Sequence, residues 1–172
     1  MRSMKKDLLF QYLDEGTTPV SLPEGLHLEI TTPTLRGVLR KENNLTELVW
    51  KWLALGRCSL FQVKNVEGVI VHQSMMVGRN PKFSFLRENE YEIGPCMTTE
   101  EYRGLGIYPY VLGICVRALP DGERGEHYMF VSPDHLSSIR GVEKAGFRVI
   151  GHVERRRFGI WKKVKETEAG HT

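Results

Sequence analysis

The segment from Tyr91 to Leu119 constrains this 172-residue chain more than any other. A β-prone run, Tyr91 to Thr98, leads through Thr99-Glu100-Glu101-Tyr102 into Arg103-Gly104-Leu105-Gly106. Beyond it Ile107, Val111, Ile114, Cys115, Ala118 and Leu119 recur at helical spacing. Pro109 falls in the first turn of that predicted helix, where a missing N–H costs little. Two glycines flanking Leu105 let backbone N–H groups approach an anion without Cβ obstruction, and a helix N-terminus adds about half a positive charge. Arg103 stands beside them. The pattern predicts either a phosphate or pyrophosphate cradle or a plain turn whose glycines answer only steric need. No Gly-Lys-Ser/Thr follows, which excludes a Walker A loop, and Pro109 stands where a dinucleotide fingerprint needs its third glycine.

The rest of the chain supplies the partners of this unit. Residues 4–14 read as a short helix, and Leu26-His27-Leu28-Glu29-Ile30 alternates as a strand. Asn44 or Thr46 would cap a helix carrying Leu45, Leu48, Val49, Trp52, Leu53 and Leu55, stopped by Gly56. Ser59 to Lys64 and Val69 to Val77 form a predicted hairpin, and Gly78 to Glu88 reads as a polar, mobile loop. His127 to Ser132 is a predicted strand. Ser132-Pro133 would then cap a helix whose apolar face is Leu136, Ile139, Val142 and Ala145, with Gly146 as its C′ residue. Phe147 to Glu154 and Phe158 to Lys165 are the last two predicted strands. Strands alternating with helices, and hairpins at both ends, imply a mixed α/β sheet in one layer with helices against it.

Composition bounds what such a chain can be. At roughly 150 residues per domain the expectation is a single domain spanning 1–172, able to bury about 70% of its unfolded surface without metal or disulfide staples. Cys58, Cys96 and Cys115 are an odd number with no CxxC pair, so neither a disulfide framework nor a zinc module is expected. No metal is expected. No run approaches the ~20 apolar residues of a membrane span, and the expected compartment is the cytoplasm. The net charge of +3 is too small to indicate nucleic acid or membrane by itself.

Two stretches together resemble the GCN5-related N-acetyltransferase (GNAT) superfamily. Arg103-Gly104-Leu105-Gly106-Ile107-Tyr108 fits five of six positions of the family's acetyl-CoA loop, Arg/Gln-x-x-Gly-x-Gly/Ala, with Tyr108 in place of the final small residue. The later segment Asp134-His135-Leu136-Ser137-Ser138 to Glu143-Lys144-Ala145-Gly146-Phe147 is similar to the family's Asn-x-x-Ser followed by Glu-Lys-x-Gly-Phe. The resemblance is clear over roughly residues 90–160. It implies a central, mostly antiparallel, splayed β-sheet flanked by helices, an acceptor-side half of about 1–88 and a cofactor-binding half of about 89–165. It also implies acetyl-CoA as cofactor, with pantetheine along Cys96, Met97 and Thr98 and pyrophosphate on the N–H groups of Arg103, Gly104, Leu105, Gly106, Ile107 and Tyr108. His135 and Ser138 occupy the Asn and Ser positions of the second motif and are expected near the cofactor arm.

The chemistry so implied is acetyl transfer to an amine. An ammonium ion has no lone pair to attack with, so a general base is required. Glu92, six positions before Thr98, resembles the catalytic glutamate of the family's histone-modifying branch; simple alternation puts it on one face with Glu90, Gly94, Cys96 and Thr98. His72 and His127 are alternative bases. The family's tyrosine, which protonates the departing thiolate, corresponds to Val142. That leaves Tyr108, Tyr128 or water, with Tyr128 the expected catalytic partner of Glu92. Cys96 reads as a small strand residue lining the cofactor rather than a nucleophile, because no partnering base is identifiable. Between Arg148 and Lys165 seven cationic side chains stand against Glu154, a local +6 that would attract an acidic acceptor such as a nucleotide-linked sugar. The expected partner is thus a small-molecule amine, an amino-sugar or nucleotide-sugar by preference, with no nucleic acid and no membrane, for a monomer or homodimer. O-acetyl transfer, another acyl-CoA transfer and a non-catalytic coenzyme A-binding module are the alternatives.

Overall fold

The computed structural model describes residues 6–13, 21–32, 58–118, 125–156 and 160–164. In chain order they form β1 (Lys6–Tyr12), β2 (His27–Thr31), β3 (Cys58–Lys64), β4 (Ile70–Gly78), β5 (Glu90–Thr98), a 3-10 turn (Glu100–Tyr102), α1 (Ile107–Cys115), β6 (Glu126–Val131), α2 (Leu136–Lys144), β7 (Phe147–Arg155) and β8 (Trp161–Val164). The strands hydrogen-bond into one sheet in the order β2-β3-β4-β5-β6-β1-β7-β8. Every neighbouring pair is antiparallel except β5 and β6, which run parallel. The expected hairpin is β3–β4. Asn65 organises its turn: its side-chain carbonyl accepts from Glu67 N and Val69 N at 3.1 and 2.9 Å, and Gly68 supplies the left-handed φ of 79°.

The expected helix over 4–14 is instead a strand where it is described. Leu9 and Phe10 are both fully buried although adjacent, because β1 lies between β6 and β7 and its register against β7 shifts at Leu9/Phe10. Phe10 enters the core under the helices and Leu9 the core on the opposite face. A strand covered on both sides presents a continuous apolar run, which periodicity alone cannot separate from a helix. The helix expected over Leu45 to Leu55, with Trp50 and Trp52, lies outside the described residues, as do Arg157, Phe158 and Lys165.

Both helices pack on one face of the sheet, where Phe10, Phe61, Met76, Ile93, Val111, Leu112 and Phe147 form the larger core. Gly146, at φ 93°, ends α2 as expected. Ser132 is not the cap. The N-cap is His135, whose N–H donates to Ser132 O at 2.9 Å, so Ser132-Pro133 forms a turn before the helix. The segment 79–88 is turn-rich but pinned. Phe83 and Leu86 are buried, Trp161 N donates to Lys82 O at 2.7 Å, and Ser84 Oγ donates to Trp161 O at 3.1 Å. With Phe85, Tyr128, Phe130 and Trp161 it builds an aromatic second core on the face away from the helices. Among the described residues no helix is long and apolar enough to cross a membrane.

Candidate active site

A break in the sheet sets the site. β5 and β6 pair only from Glu90 opposite Glu126 to Glu92 opposite Tyr128. β5 then continues to Thr98 bonded to β4 alone, so its second edge is open from about residue 93 onward. Unpaired N–H and C=O groups on such an edge invite an extended ligand. At the end of that edge Thr99 anchors to β4, its N–H donating to Val71 O at 2.9 Å. The glycine turn follows. Gly104 and Gly106 have left-handed φ of 78° and 79°, and nothing stands within 4 Å of where a Cβ at 104 would be. Gly106 is the N-cap of α1, without a side chain to occupy the first-turn N–H groups. Arg103 folds back rather than out: its Nε donates to Thr98 O at 3.2 Å, tying turn to strand. Leu105 is exposed and Ile107 is buried in the core.

Glu92 lies at the point where β5 and β6 part. It is only 2% exposed and its Oε2 has no hydrogen-bond partner. Burial holds its carboxyl well above the usual carboxylate range, opposed by the charge of Lys82 from the pinned loop. Gly94 makes room for it, since a Cβ at 94 would lie 2.5 Å from Glu92 Oε1. The shared face expected for Glu92, Cys96 and Thr98 is corrected by a register shift between β4 and β5. Met76 and Val77 stand opposite Ile93 and Glu92, but Ser74 and His72 stand opposite Cys96 and Thr98. The extra residue reverses the alternation. Cys96 and Thr98 therefore face the helices with Ile93, while Glu92 shares the aromatic face with Tyr128 and Val77. Glu92 nevertheless raises the pKa of both Cys96 and Tyr108, so its charge reaches across the gap.

On the helix side Cys96 stands opposite Ser74 and interacts with it and with Tyr108. Burial pushes its thiol up to about 12, with Glu92 adding to the rise and Ser74 and Tyr108 opposing it. It is a thiol at neutral pH, which agrees with a lining residue rather than a nucleophile. Tyr108 extends from the first turn of α1 over α2, where a Cβ on Gly141 would come within 2.6 Å of its Cδ1. Burial is the main cause that keeps its phenol well above the ordinary value. The neighbouring Val142 is fully buried in the core. His72 donates or accepts at both ring nitrogens, Nδ1 with Thr98 Oγ1 at 2.7 Å and Nε2 with Ser74 Oγ at 2.8 Å, and burial lowers its pKa to about 4. His127, also lowered to about 4 by burial, stacks on Tyr91. Tyr128 is buried on the aromatic face and its hydroxyl donates to Glu126. Met97 and His135 are exposed and Ser138 is partly buried on α2. In the basic C-terminal pair, Arg148 donates to Glu143 O and Phe147 O, and Arg156 pairs with Glu154 at 3.3 Å.

Comparison with solved structures gives the fold its name. An acetyltransferase of the GNAT family from Colwellia psychrerythraea superposes with a TM-score of 0.57 at 16% identity, over 86% of this chain and 53% of that one. A tandem GNAT protein from the clavulanic acid biosynthesis pathway superposes with 0.57 at 15% identity, over 87% and 51%. AAC(6')-Ib in complex with ribostamycin and coenzyme A superposes with 0.53 at 15% identity, over 78% and 90%. The chain thus spans about half the length of the first two and nearly all of the third. No family model and no curated protein matches the sequence.

Proposed function

From the GNAT fold of this chain we propose that it is an acetyl-CoA-dependent N-acetyltransferase acting on the amine of a small molecule, an amino-sugar or nucleotide-sugar by preference, in a ternary complex. One observation carries the reading: the open edge of β5 runs from the buried Glu92 carboxyl, whose Oε2 has no partner, to a glycine turn opening a helix. That geometry fits an extended arm ending in phosphates. The N–H groups from Arg103 to Tyr108 would hold the pyrophosphate, and the β5 backbone at Cys96, Met97 and Thr98 would hold the pantetheine. His135 and Ser138, at the start of α2, would assist the cofactor arm in this reading. When bound, acetyl-CoA supplies an acyl group activated as a thioester. A solved AAC(6')-Ib structure holds acetyl-CoA on this fold, which supports the same cofactor here.

Glu92 is the general base in this reading. Its raised pKa brings the carboxylate closer to the range in which a base both exists at neutral pH and takes a proton readily. For the thiolate side we favour Tyr108 over Tyr128. The Tyr108 hydroxyl meets Cys96 on the open edge, whereas that of Tyr128 is committed to Glu126 on the other face. Its high pKa keeps the proton on Oη until a strong base, the departing thiolate, is next to it.

Gly141→Ala tests the placement of Tyr108. Ala is better than Gly in a helix by about 1 kcal/mol, so α2 itself gains. The new Cβ nevertheless displaces the ring, and kcat should fall as far as in Tyr108→Phe, about 10²-fold, with acetyl-CoA affinity unchanged. Steady-state kinetics of the two variants make the comparison. The function itself is tested by mass spectrometry of products from an amine panel and a hydroxyl panel. Acetylated amines, with amino-sugars foremost, are the expected result. Acetylation of hydroxyls alone would make it an O-acetyltransferase. Consumption of acetyl-CoA no faster than with Glu92→Ala would leave a coenzyme A-binding module.

A further inference from the structure

We propose that Thr98, His72, Ser74, Cys96 and Tyr108 form a proton relay that connects the thiolate side of the reaction to solvent, with His72 next to its outer end. The proposal rests on the acetyl-transfer reading and adds a path to it. Two links are hydrogen bonds, Thr98 Oγ1 to His72 Nδ1 at 2.7 Å and His72 Nε2 to Ser74 Oγ at 2.8 Å; beyond them Ser74 stands opposite Cys96, which interacts with Tyr108, whose ring centroid is 6.0 Å from that of His72. They zigzag between β4 and β5, where the register shift brings Ser74 opposite Cys96 and His72 opposite Thr98. His72 and Ser74 are 1% and 0% exposed, while Thr98, at the open end of β5, is partly exposed. The line therefore runs from the proposed acid, through two buried groups, to the open end of β5.

Two features separate this from ordinary core packing. Buried polar groups cost free energy unless every one is bonded, and apolar residues would fill this space with no such risk. Every member is also a group that can donate and accept at once, which a relay requires and a static bond does not. Lys and Arg, donors only, are absent from it. The other ionisable groups felt along the line are Glu92, across the gap, which acts on Cys96 and Tyr108, and Cys115, from α1, which acts on Tyr108 and itself feels Cys96.

The proton count closes. The amine forms the N–C bond and gives its proton to Glu92, and the C–S bond breaks. The thiolate takes the Tyr108 Oη proton, and the phenolate takes the proton of Cys96 Sγ. Cys96 takes that of Ser74 Oγ, Ser74 takes that of His72 Nε2, His72 Nδ1 takes that of Thr98 Oγ1, and Thr98 takes one from water. Glu92 returns its proton to solvent, so nothing is consumed besides amine and thioester. Rotation of the hydroxyls and thiol and a flip of the imidazole ring, which move no proton along the line, reset it.

His72→Gln is the discriminating variant, because an amide keeps a donor and an acceptor in a similar volume but relays protons poorly. Expected are a kcat lower by roughly tenfold or more, an unchanged KM for acetyl-CoA, and a proton inventory in mixed H2O/D2O that is curved in the natural chain and linear in the variant. Ser74→Ala should behave the same way, and Ser74→Thr should restore the natural values. A kcat within about twofold and an unaltered inventory in both broken variants would overturn the relay. A second measurement needs no turnover. The 15N resonances of the His72 ring report which nitrogen carries the proton, and Tyr108→Phe, which keeps the ring but removes the far end of the line, should change that balance. An unchanged His72 tautomer would overturn the relay whether or not acetyl transfer occurs. A natural chain that acetylates no amine while its His72 responds to Tyr108→Phe would overturn the functional reading and leave the line intact.

Discussion

Glu92→Gln lowers kcat/KM by about 10²–10⁴-fold with little change in acetyl-CoA affinity, the loss expected for a removed general base. The natural chain should show an acid limb in kcat/KM well above pH 4.5, because burial raises the Glu92 pKa and the carboxylate must be ionised to act. Removing the Lys82 charge, which opposes that rise, moves the limb to higher pH. Stability should change in the opposite sense to activity. A carboxyl whose pKa is higher folded than unfolded binds more protons in the folded state, so its contribution is favourable at low pH and is lost as pH rises through the folded value. Glu92→Gln, neutral at every pH, should therefore raise Tm at pH 8, by about 2–4 °C for each kcal/mol relieved, and the gain should vanish near pH 4. Kinetic pH profiles and thermal melts at the two pH values check both halves. A melt difference independent of pH would mean that Glu92 is not a buried acid.

Phe10→Ala should cost about 3–5 kcal/mol, on the order of 10 °C in Tm. The side chain is fully buried under the helices, and β1 is an interior strand of the sheet, paired with β6 through Leu8 to Gln11 and with β7 through Lys6 to Tyr12. The consequence reaches the site. β6 is one wall of the gap beside Glu92, and among the described strands β1 alone pairs with it over Met129 to Val131, where β5 has already left. Loss of Phe10 should weaken coenzyme A binding as well as stability. Denaturant melts of Phe10→Ala measure the first effect. A change under about 0.5 kcal/mol, typical of a surface position, would mean that residues 6–12 are an accessory segment.

Much of the fold over residues 89–165 is legible in the amino-acid sequence. The helix face Leu136, Ile139, Val142 and Ala145 ends on Gly146, and the strand expected from His127 to Ser132 is β6, displaced by one residue. These succeed because periodicity and punctuation are local signals. The helix expected over 4–14 fails because Leu8-Leu9-Phe10 carries no period when both faces of a strand are covered. The pinned loop is missed because its turn residues outweigh Phe83, Phe85 and Leu86, whose apolar character in a polar run is the available signal. In the proposed site, the glycine turn is read from its spacing and Glu92 from the family resemblance, and both lie along β5 and its open edge. The alternation that joins Glu92 to Cys96 fails at the register shift beside Gly94 and Pro95, since a one-residue bulge turns every later side chain to the other face. The His72 line is hidden for a related reason. Two polar residues, His72 and Ser74, two apart in an apolar strand hint at it, but cross-strand register to Cys96 and Thr98 is not written in either strand alone.

The central claim is that the open edge of β5 and the glycine turn bind acetyl-CoA. Thermal melts of the full chain with increasing acetyl-CoA test it most directly. At about 100 times Kd the ligand should stabilise the fold by about 2.7 kcal/mol, or roughly 5–11 °C at this size. No shift at millimolar acetyl-CoA would contradict the account.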